Sequence, residues 1–461
     1  MQAPFDIAAD LDTPVSAYLK LRPLGPRFLL ESVEGGERLA RYSFLGFGDA
    51  LEVRMDSEAL YMNGKAGARP DSQQAYLDAL RAALAAAPRL QPEVDGLPFA
   101  GGLVGVSGYD VVRLFERLPR NTAPQTSVPD AAFVAPASIL VFDHLTRRIA
   151  LLHDGSETER RQLREEVIVR LRGSIPENNE EVKIAAAAAS LTRDEYSDRV
   201  KACKEYIAAG DIYQVVLSVL FRGKTNVSPF EVYRAMRLLN PSPYMFFLDF
   251  GDVQVVGSSP EALVRLQGKT ASLRPIAGTQ PRGNTREEDA ANEKALLADP
   301  KEAAEHVMLV DLARNDLGRV ARPGSVRVDP YRTIERYSHV MHIVSGVQGE
   351  LGEAYDQFDL FAASFPAGTL VGAPKVRAME VIEEMEQVGR GLYAGTAGYF
   401  GVTGDMDQAI TIRTLVFSGD EYSFQAGAGI VADSVPEREY EEVLAKSAIL
   451  RRALQIAGDG L

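Results

Sequence analysis

The chain has almost no cysteine, no tryptophan and no long hydrophobic run. Its single cysteine, Cys203, excludes an intramolecular disulfide and fits a reducing compartment. No apolar run approaches the roughly 18–20 residues that a transmembrane helix needs. The first residues, MQAPFDIAADLDTPV, are acidic and lack the pattern of a secretory signal. We therefore expect a cytoplasmic protein.

The one thiol is not a promising nucleophile. Cys203 sits in VKACKEYI, whose apolar spacing is that of a helix, so a small buried hydrophobe is the better interpretation. The chain therefore has no convincing residue of its own for hydrolysing glutamine.

The chain also has fewer basic than acidic residues. The chain has 50 Lys and Arg against 64 Asp and Glu, which gives a formal net charge of −14. This balance argues against nucleic acid and anionic membranes as partners. An anionic substrate would have to be bound locally, by a metal ion and a few placed cations.

A polar, turn-rich stretch marks the clearest boundary in the chain. It covers residues 173–190 and begins GSIPENNEEVK. We expect an N-terminal region over 1–172, a linker over 173–190 and a second domain over 191–461. With 46% hydrophobic and 25% charged residues, the composition is that of a globular protein with a substantial core.

Helical and strand-like patterns alternate along both parts. Helices are predicted over residues 72–87, 157–172, 192–207 and about 287–317, and Thr192 with Glu195 forms a capping box at the third. There is no dinucleotide-binding fingerprint and no P-loop motif. The pattern favours an α+β fold in which two antiparallel β-sheets stack face to face with helices packed outside.

The last third of the chain carries most of the motifs. They combine carboxylates, a histidine, an arginine and glycine turns, which together suit a small anion and a hard metal ion. The blocks are PIAGT (275–279), AEHVMLVDLARNDLGRV (304–320), SHVMHIVS (338–345), FPAGTLVGAPKVRAME (365–380), GLYAGTAGYF (391–400), DQAITIRT (407–414) and QAGAGIVADSVPEREYEEVLAK (425–446).

These blocks closely resemble the chorismate-utilising enzymes and, within them, the large subunits of anthranilate synthase. The resemblance covers most of residues 190–455, with weaker similarity back to residue 20. It implies that residues 191–461 form a chorismate-binding catalytic domain with the stacked-sheet fold. It also implies that residues 1–172 complete this fold and contribute to a regulatory site for tryptophan.

Three glutamates suggest a Mg2+ site. Glu305 lies on one predicted helix, and Glu439 and Glu442 lie on another, where their spacing puts them on one face with Lys446. Carboxylates from separate helices suit Mg2+, which keeps part of its hydration shell. A single glutamate on a charged helix is more often solvated surface. The resemblance implies that Glu305 and Glu442 bind Mg2+, that Glu439 assists, and that Lys446 balances the charge and contacts substrate.

The resemblance also implies the catalytic residues. Glu261, in the SPE motif, matches the general acid that protonates the leaving 4-hydroxyl of chorismate, a role that needs a raised pKa. The same motif also suits an ordinary helix N-terminus. His342, on a predicted strand, matches the active-site histidine, whereas His339 does not and is interpreted as structural.

Further positions match the family's substrate contacts. Arg413, on a predicted strand, and Tyr393 match the residues that hold the enolpyruvyl carboxylate, which suits the planar fork of arginine. Thr369 and the backbone amides at Ala428 and Gly429 would add hydrogen bonds, since glycine lets the backbone approach the substrate.

Two positions indicate the reaction within the family. Relatives that add water to chorismate carry a lysine base where this chain has Gln214, and an amide cannot deprotonate water. Aminodeoxychorismate synthases commonly carry a nucleophilic lysine where this chain has Ala277. Both point to anthranilate synthase. One departure is Val371, which stands where anthranilate synthases usually have serine.

Two further segments, LLES (29–32) and NPSPYMFF (240–247), match the segments that bind tryptophan as a feedback inhibitor. The alternative is that both are simply core strand and turn. The regulatory residues implied by the resemblance are Glu31, Ser32, Pro243, Tyr244 and Met245.

The resemblance therefore implies a Mg2+-dependent enzyme that forms anthranilate and pyruvate from chorismate and ammonia. A separate glutamine amidotransferase subunit would supply the ammonia, and tryptophan would inhibit. The alternatives are an aminodeoxychorismate synthase and a non-catalytic regulator that binds chorismate or tryptophan.

Overall fold

The computed structural model describes residues 4–32, 41–175, 181–336 and 340–461. Its helices are α1 Pro14–Lys20, α2 Gln73–Ala86, α3 Glu157–Leu171, α4 Arg193–Ala208, α5 Pro229–Leu239, α6 Arg286–Ala298, α7 Pro300–Gly318, α8 Gln357–Ser364, α9 Gly368–Val371, α10 Lys375–Met385 and α11 Pro436–Asp459.

The strands in chain order are β1 Ile7–Ala8, β2 Pro26–Glu31, β3 Tyr42–Met55, β4 Ala59–Met62, β5 Lys65–Ala68, β6 Gly102–Ser107, β7 Ala131–Asp143, β8 Arg148–His153, β9 Ala188–Ala189, β10 Gln214–Lys224, β11 Tyr244–Asp249, β12 Val253–Ser259, β13 Ala262–Gln267, β14 Thr270–Leu273, β15 Ile276–Pro281, β16 Arg327–Val328, β17 Thr333–Arg336, β18 Val340–Val344, β19 Val347–Glu350, β20 Gly372–Ala373, β21 Thr396–Gly401, β22 Met406–Ile410, β23 Thr414–Ser418 and β24 Glu421–Ile430.

The strands form two large antiparallel sheets that share the long strand β7. One sheet runs β16-β19-β14-β13-β22-β21-β6-β7, and the other runs β10-β24-β23-β12-β11-β2-β3-β7-β8-β1. Strand β7 pairs with β6 through its first residues and with β8 through its last, so it belongs to both sheets. A small separate sheet has the order β15-β18-β17. The predicted fold class, α+β with large antiparallel sheets, is confirmed.

The N-terminal and C-terminal parts of the chain share these sheets. Leu29 of β2 pairs with Phe247 of β11, and Val106 of β6 pairs with Ala397 of β21. The largest hydrophobic core cluster draws buried side chains from both parts. Residues before and after the expected linker at 173–190 therefore share one hydrophobic core. The division of the chain into two functional regions stays a proposal.

Local sequence signals explain several helix boundaries. Ser72 accepts a hydrogen bond from the Ala75 amide at the start of α2, and Thr192 and Glu195 form the predicted capping box at α4. The helix expected over about 287–317 is instead two helices. Asp299 ends α6 and caps α7, and Pro300 occupies the first turn of α7, where its missing amide proton costs nothing.

The prediction that Arg413 lies on a strand was wrong. It lies in the connection between β22 and β23, which belong to different sheets, and its φ is 48°. A left-handed backbone conformation at this position turns the chain from one sheet to the other. No helix in the described part of the chain is long and apolar enough to cross a bilayer.

Candidate active site

Glu261 lies in the bend between β12 and β13. Thr369 Oγ1 donates a hydrogen bond of 2.9 Å to Glu261 Oε1, from the short helix α9. Desolvation by burial raises the pKa of Glu261 to about 7, against the opposing effects of the Thr369 hydrogen bond and the Arg413 and Lys446 charges. The bend is not a helix N-terminus, so that alternative for the SPE motif is excluded. A carboxyl with this pKa is about half protonated at neutral pH and can act as an acid.

Arg413 brings a positive charge into the same region. Its charge lowers the pKa of both Glu261 and His342, which places these three residues around one space. Burial lowers the pKa of the Arg413 guanidinium, and the Glu261 carboxylate partly offsets this. A partly desolvated guanidinium in such a position can bind a substrate carboxylate through its planar fork.

His342 lies on β18 in the small third sheet. Its Nδ1 donates to the Gly278 carbonyl oxygen at 2.8 Å, and the Thr279 hydroxyl lies 3.2 Å from the same nitrogen. Desolvation by burial lowers the pKa of His342, so the imidazole is mainly neutral at pH 7. In that form the proton on Nδ1 leaves Nε2 as the nitrogen with the lone pair. The companion residue His339 lies outside the described residues.

The start of β10 packs against the glycine-rich part of β24. A Cβ placed on Gly429 would lie 2.6 Å from Gln214 Nε2, so only glycine lets the amide approach so closely. A Cβ on Gly427 would lie 2.8 Å from the Tyr393 hydroxyl. Lys446 Nζ donates to the Gly427 carbonyl at 3.0 Å. The structure thus brings together Gln214, Tyr393, Gly429 and Lys446 along one strand.

Ala428 cannot contribute a side chain to this region because it is fully buried and pairs with Leu217 of β10. Within the described residues, β23 pairs with β24 only as far as Phe424. From there to Ile430, no strand in the described part of the chain pairs with this edge of β24. Any contact at Ala428 or Gly429 would therefore come from backbone groups, as predicted.

The three predicted metal-binding glutamates influence one another. Burial raises the pKa of Glu305, and the Glu302 and Glu442 charges raise it further. The pKa of Glu439 is raised by burial and by Glu442. Lys446 forms an ion pair of 2.7 Å with Glu442. Glu302 was missed from the sequence, although it lies one helical turn before Glu305 on α7.

These carboxylates fit a divalent cation in charge, because their mutual repulsion is only partly relieved by Lys446. Among the described residues, no group of three or more acidic, histidine or cysteine side chains is close enough to enclose a metal ion. Mg2+ does not need such a cage, since it is commonly bound by one or two carboxylates with water and substrate oxygens. The arrangement is therefore compatible with Mg2+.

A cavity of about 700 Å3 lies beside the cleft that contains Glu261. It is lined by the predicted regulatory residues Glu31, Ser32, Pro243, Tyr244 and Met245. The two segments they belong to are also neighbouring strands, since Met245 pairs with Glu31. The interpretation as core strand is thus confirmed for much of both segments, and the same segments also line a cavity.

Two acidic side chains of this cavity, Glu31 and Asp407, have different hydrogen-bond and ion-pair partners. Glu31 accepts hydrogen bonds from the Tyr233 hydroxyl at 2.5 Å and from Arg237 at 3.0 Å. Asp407 was missed from the sequence. Its Oδ2 lies 3.7 Å from Arg265. Burial raises the pKa of Asp407 to about 6, against the opposing effects of the Arg265 charge and of a hydrogen-bonding interaction with Tyr244.

The cavity and the surroundings of Glu261 share a wall. Ala262, Leu273 and Arg274 line the large cavity and also a narrow cleft that contains Glu261 and Thr369. Arg274 forms an ion pair with Glu335 of β17, whose register partner on β18 is His342. A ligand in the cavity would therefore lie one layer of residues away from both candidate catalytic groups.

The arrangement of Glu261, His342 and Arg413 can bind a small anion and carry out acid–base chemistry. Residues 25–452 match the family described as chorismate binding enzyme. The chain belongs to this family. It is 46% identical to anthranilate synthase component 1 of Aquifex aeolicus, over 98% of this chain and 94% of that protein, and 46% identical to that of Thermus thermophilus, over 98% and 97%.

Two solved structures extend the comparison. The crystal structure of anthranilate synthase component I from Streptococcus pneumoniae has a TM-score of 0.80 and 35% identity, covering 98% of this chain and 100% of that one. The menaquinone-specific isochorismate synthase from Escherichia coli has a TM-score of 0.71 at 21% identity, over 97% and 92%. The second likeness shows the fold alone. The resemblance found in the sequence is thus confirmed along the whole chain.

The geometry at Glu261 predicts how its pKa responds to mutation. In Thr369→Val, loss of the hydrogen bond that favours the charged carboxylate should raise the pKa of Glu261 above about 7. The shift can be measured by 13C NMR titration of selectively labelled glutamate. Thr403→Val, on an exposed loop, is the control and should leave that signal unchanged. An unchanged or lowered pKa in Thr369→Val would contradict the assigned hydrogen bond.

Proposed function

We propose that the chain is the chorismate-converting subunit of an anthranilate synthase. It would form anthranilate, pyruvate and water from chorismate and ammonia. The observation that carries the proposal is the Gln214 amide packed against Gly429 of β24. Lys446 binds the Gly427 carbonyl of the same strand, and its charge also acts on Glu261. The full-length similarity to proteins named anthranilate synthase component 1 supports it.

The proposed binding mode follows the charges of the site. The Arg413 fork and the Tyr393 hydroxyl hold the enolpyruvyl carboxylate. The backbone at Ala428 and Gly429 donates hydrogen bonds to substrate oxygens, and the Thr369 oxygen, whose proton goes to Glu261, accepts one from a substrate hydroxyl. Residues Glu305 and Glu442, assisted by Glu439, would hold Mg2+, which would neutralise the ring carboxylate and orient the ring.

In the first half of the proposed reaction, ammonia forms a bond to C2 of the ring with its lone pair. The 4-hydroxyl leaves as water after taking the proton of Glu261. The pKa of Glu261 near 7 makes the protonated acid available, and Thr369 holds its Oε1 in place. The positively charged nitrogen then loses one proton to the Glu261 carboxylate, which restores the acid.

In the second half, the C2 proton is lost and the enolpyruvyl group leaves as pyruvate, whose methylene carbon gains a proton. The ring becomes aromatic. We propose that neutral His342 accepts a proton in this half, because its Nδ1–H is held by Gly278 and its Nε2 carries the lone pair. These steps balance the overall conversion to anthranilate, pyruvate and water.

The nucleophile is proposed to be ammonia rather than water. Gln214 cannot act as a base toward water, whereas free ammonia is already nucleophilic. Ala277 is buried and offers no nucleophile, which disfavours an aminodeoxychorismate synthase. Burial raises the pKa of the Cys203 thiol to about 12, so it does not suit glutamine hydrolysis. A separate glutamine amidotransferase subunit would supply ammonia in the cytoplasm.

The direct test is an assay of the purified chain with chorismate, Mg2+ and an ammonium salt. Anthranilate fluorescence and pyruvate release should rise together, and glutamine should not replace the ammonium salt. An aminated product without pyruvate would indicate aminodeoxychorismate synthase. Binding of chorismate without any product would leave only the non-catalytic alternative.

Turnover should depend strictly on Mg2+. Excess chelator should abolish it, and Glu305→Gln or Glu442→Gln should lower kcat/KM by at least about 100-fold, since even outer-shell partners of a metal contribute 10–100-fold. The matched control is Glu441→Gln. That residue is on the same helix but pairs with Arg193 at the surface, so activity should persist. Full activity in excess chelator would contradict the metal assignment.

We also propose that the 700 Å3 cavity is a tryptophan site that inhibits catalysis. Glu31, Ser32, Pro243, Tyr244 and Met245 line it, and the shared wall at Leu273 and Arg274 lies next to Glu261. Such coupling requires tryptophan to prefer one of two conformations, and the usual coupling of ~1–3 kcal/mol corresponds to ~5–150-fold in affinity.

Ser32→Phe should remove inhibition by tryptophan and spare catalysis, because the larger side chain fills the cavity without reaching Glu261. Inhibition is measured as the shift of the chorismate saturation curve with added tryptophan. Ser57→Phe, on an exposed turn outside the cavity, should keep the inhibition of the parent. If millimolar tryptophan leaves the curve of the parent unchanged, the cavity has no such role.

A further inference from the structure

A buried ion pair lies behind the proposed substrate contacts. Arg390 and Glu386 are 2% and 5% exposed. Arg390 Nε donates to Glu386 Oε2 at 3.0 Å, and its Nη2 donates to Oε1 at 2.7 Å. A buried pair of this kind often stabilises a protein no more than apolar residues of the same volume would. The remaining hydrogen bonds of Arg390 hold neighbouring segments of the site in place.

Two further donors of Arg390 bind backbone carbonyls next to the site. Nη1 donates to Leu370 at 2.7 Å, and Leu370 follows Thr369 in α9. Nη2 donates to Val216 at 2.7 Å. Val216 is the register partner of Gly429 and lies two residues after Gln214 on β10. One side chain therefore links the helix that carries Thr369 to the strand that carries Gln214.

The flat face of the same guanidinium contacts Tyr393. The Cζ atom of Arg390 lies 5.6 Å from the centroid of the Tyr393 ring and 5.0 Å from that of Tyr109. Both distances are within the range of cation–π attraction. The Tyr393 hydroxyl in turn lies over Gly427. Arg390 thus also limits where this proposed carboxylate contact can lie.

Glu386 extends the network further along β10. Its Oε1 accepts from the Ser218 amide at 2.9 Å and from the Ser218 hydroxyl at 2.6 Å. Gln425 of β24 donates to the same hydroxyl at 2.8 Å. The pair therefore joins α9, the Tyr393 turn, β10 and β24, which are the elements that carry most of the proposed substrate contacts.

We propose that Arg390 and Glu386 are positioning residues of the active site, which set the relative placement of Thr369, Gln214 and Tyr393 without touching the substrate. This inference rests on the proposed function. Lysine at position 390 keeps the charge but cannot bind Glu386, Leu370 and Val216 at once, because its ammonium lacks the rigid fork of arginine. The substrate contacts then lose their common support while the charge is retained.

The test compares Arg390→Lys with the parent in three measurements: KM for chorismate, kcat, and the pKa of Glu261 by 13C NMR. KM should rise about 10-fold or more and kcat should fall, since small misplacements of bound groups cost up to ~100-fold in rate. The pKa of Glu261 should shift upward as in Thr369→Val, because the Thr369 hydrogen bond is weakened. The double variant Arg390→Lys/Thr369→Val should show little further shift.

The chain offers a matched control in a second buried ion pair, whose glutamate lies on α10 three residues before Glu386. Arg113 pairs with Glu383 of α10 and with Asp110, but its other contact is the Pro119 carbonyl, away from the site. Arg113→Lys should lower the melting temperature without changing KM or the pKa of Glu261. A role of Arg390 in stability alone predicts the same behaviour for Arg390→Lys, and that result would overturn the proposal.

Two further readouts keep the test decisive. If Arg390→Lys does not fold, Glu386→Gln is measured instead, since it preserves shape and should shift KM and the pKa of Glu261 in the same directions. Parental values of both quantities in folded Glu386→Gln would overturn the proposal. The NMR titration does not require turnover, so it tests the positioning role even in an inactive protein. Absence of anthranilate with the parent chain would contradict the proposed function and leave the positioning role open to this test.

Discussion

The pairing of β10 with β24 is the constraint on which the candidate site depends. The two strands are matched over ten residue pairs, and β10 is buried almost from end to end before Arg222. Such a pair has little freedom to slide, because a slip of one residue would turn every side chain to the opposite face. This register sets Gln214 against Gly429, and it sets Val216 where Arg390 can bind its carbonyl.

Electrostatics then divide the acidic side chains of the site into two kinds. Glu261 is desolvated next to a cation and a single hydroxyl donor, so it can hold a proton near neutral pH. Glu305, Glu439 and Glu442 are close enough to repel one another and are more accessible, which suits a cation ligand. A strongly negative chain can thus bind an anion, since Arg413, Lys446 and the proposed metal ion are concentrated at one place.

The sharing of sheets between the two parts of the chain links the candidate regulatory cavity to the candidate catalytic groups. Strand β2 from the N-terminal part pairs with β11, and β11 pairs with β12, which leads directly to Glu261. A ligand that changes the packing of Glu31, Ser32 and Met245 acts on strands that are already hydrogen-bonded to the site. The shared wall at Leu273 and Arg274 offers a second, shorter connection.

The sequence by itself determined what depends on local signals and ordered motifs. Apolar spacing located α2, a capping box located the start of α4, the alternating patterns indicated the fold class, and the family resemblance singled out Glu261, His342 and Gln214. The sequence misplaced Arg413 on a strand, because a left-handed residue between two sheets leaves no mark in an apolar pattern. It also merged α6 with α7, since Pro300 suits the first turn of a helix as well as the break before it.

Only the tertiary structure decided which residues act together. Asp407 and the pair of Arg390 with Glu386 escaped detection because their surroundings come from segments distant in the chain. The pKa of Glu261 is likewise a property of burial, of Thr369 and of Arg413, more than a hundred residues away in sequence. Desolvation and long-range hydrogen bonds arise only when the sheets have closed around these groups, which is why composition and spacing do not reveal them.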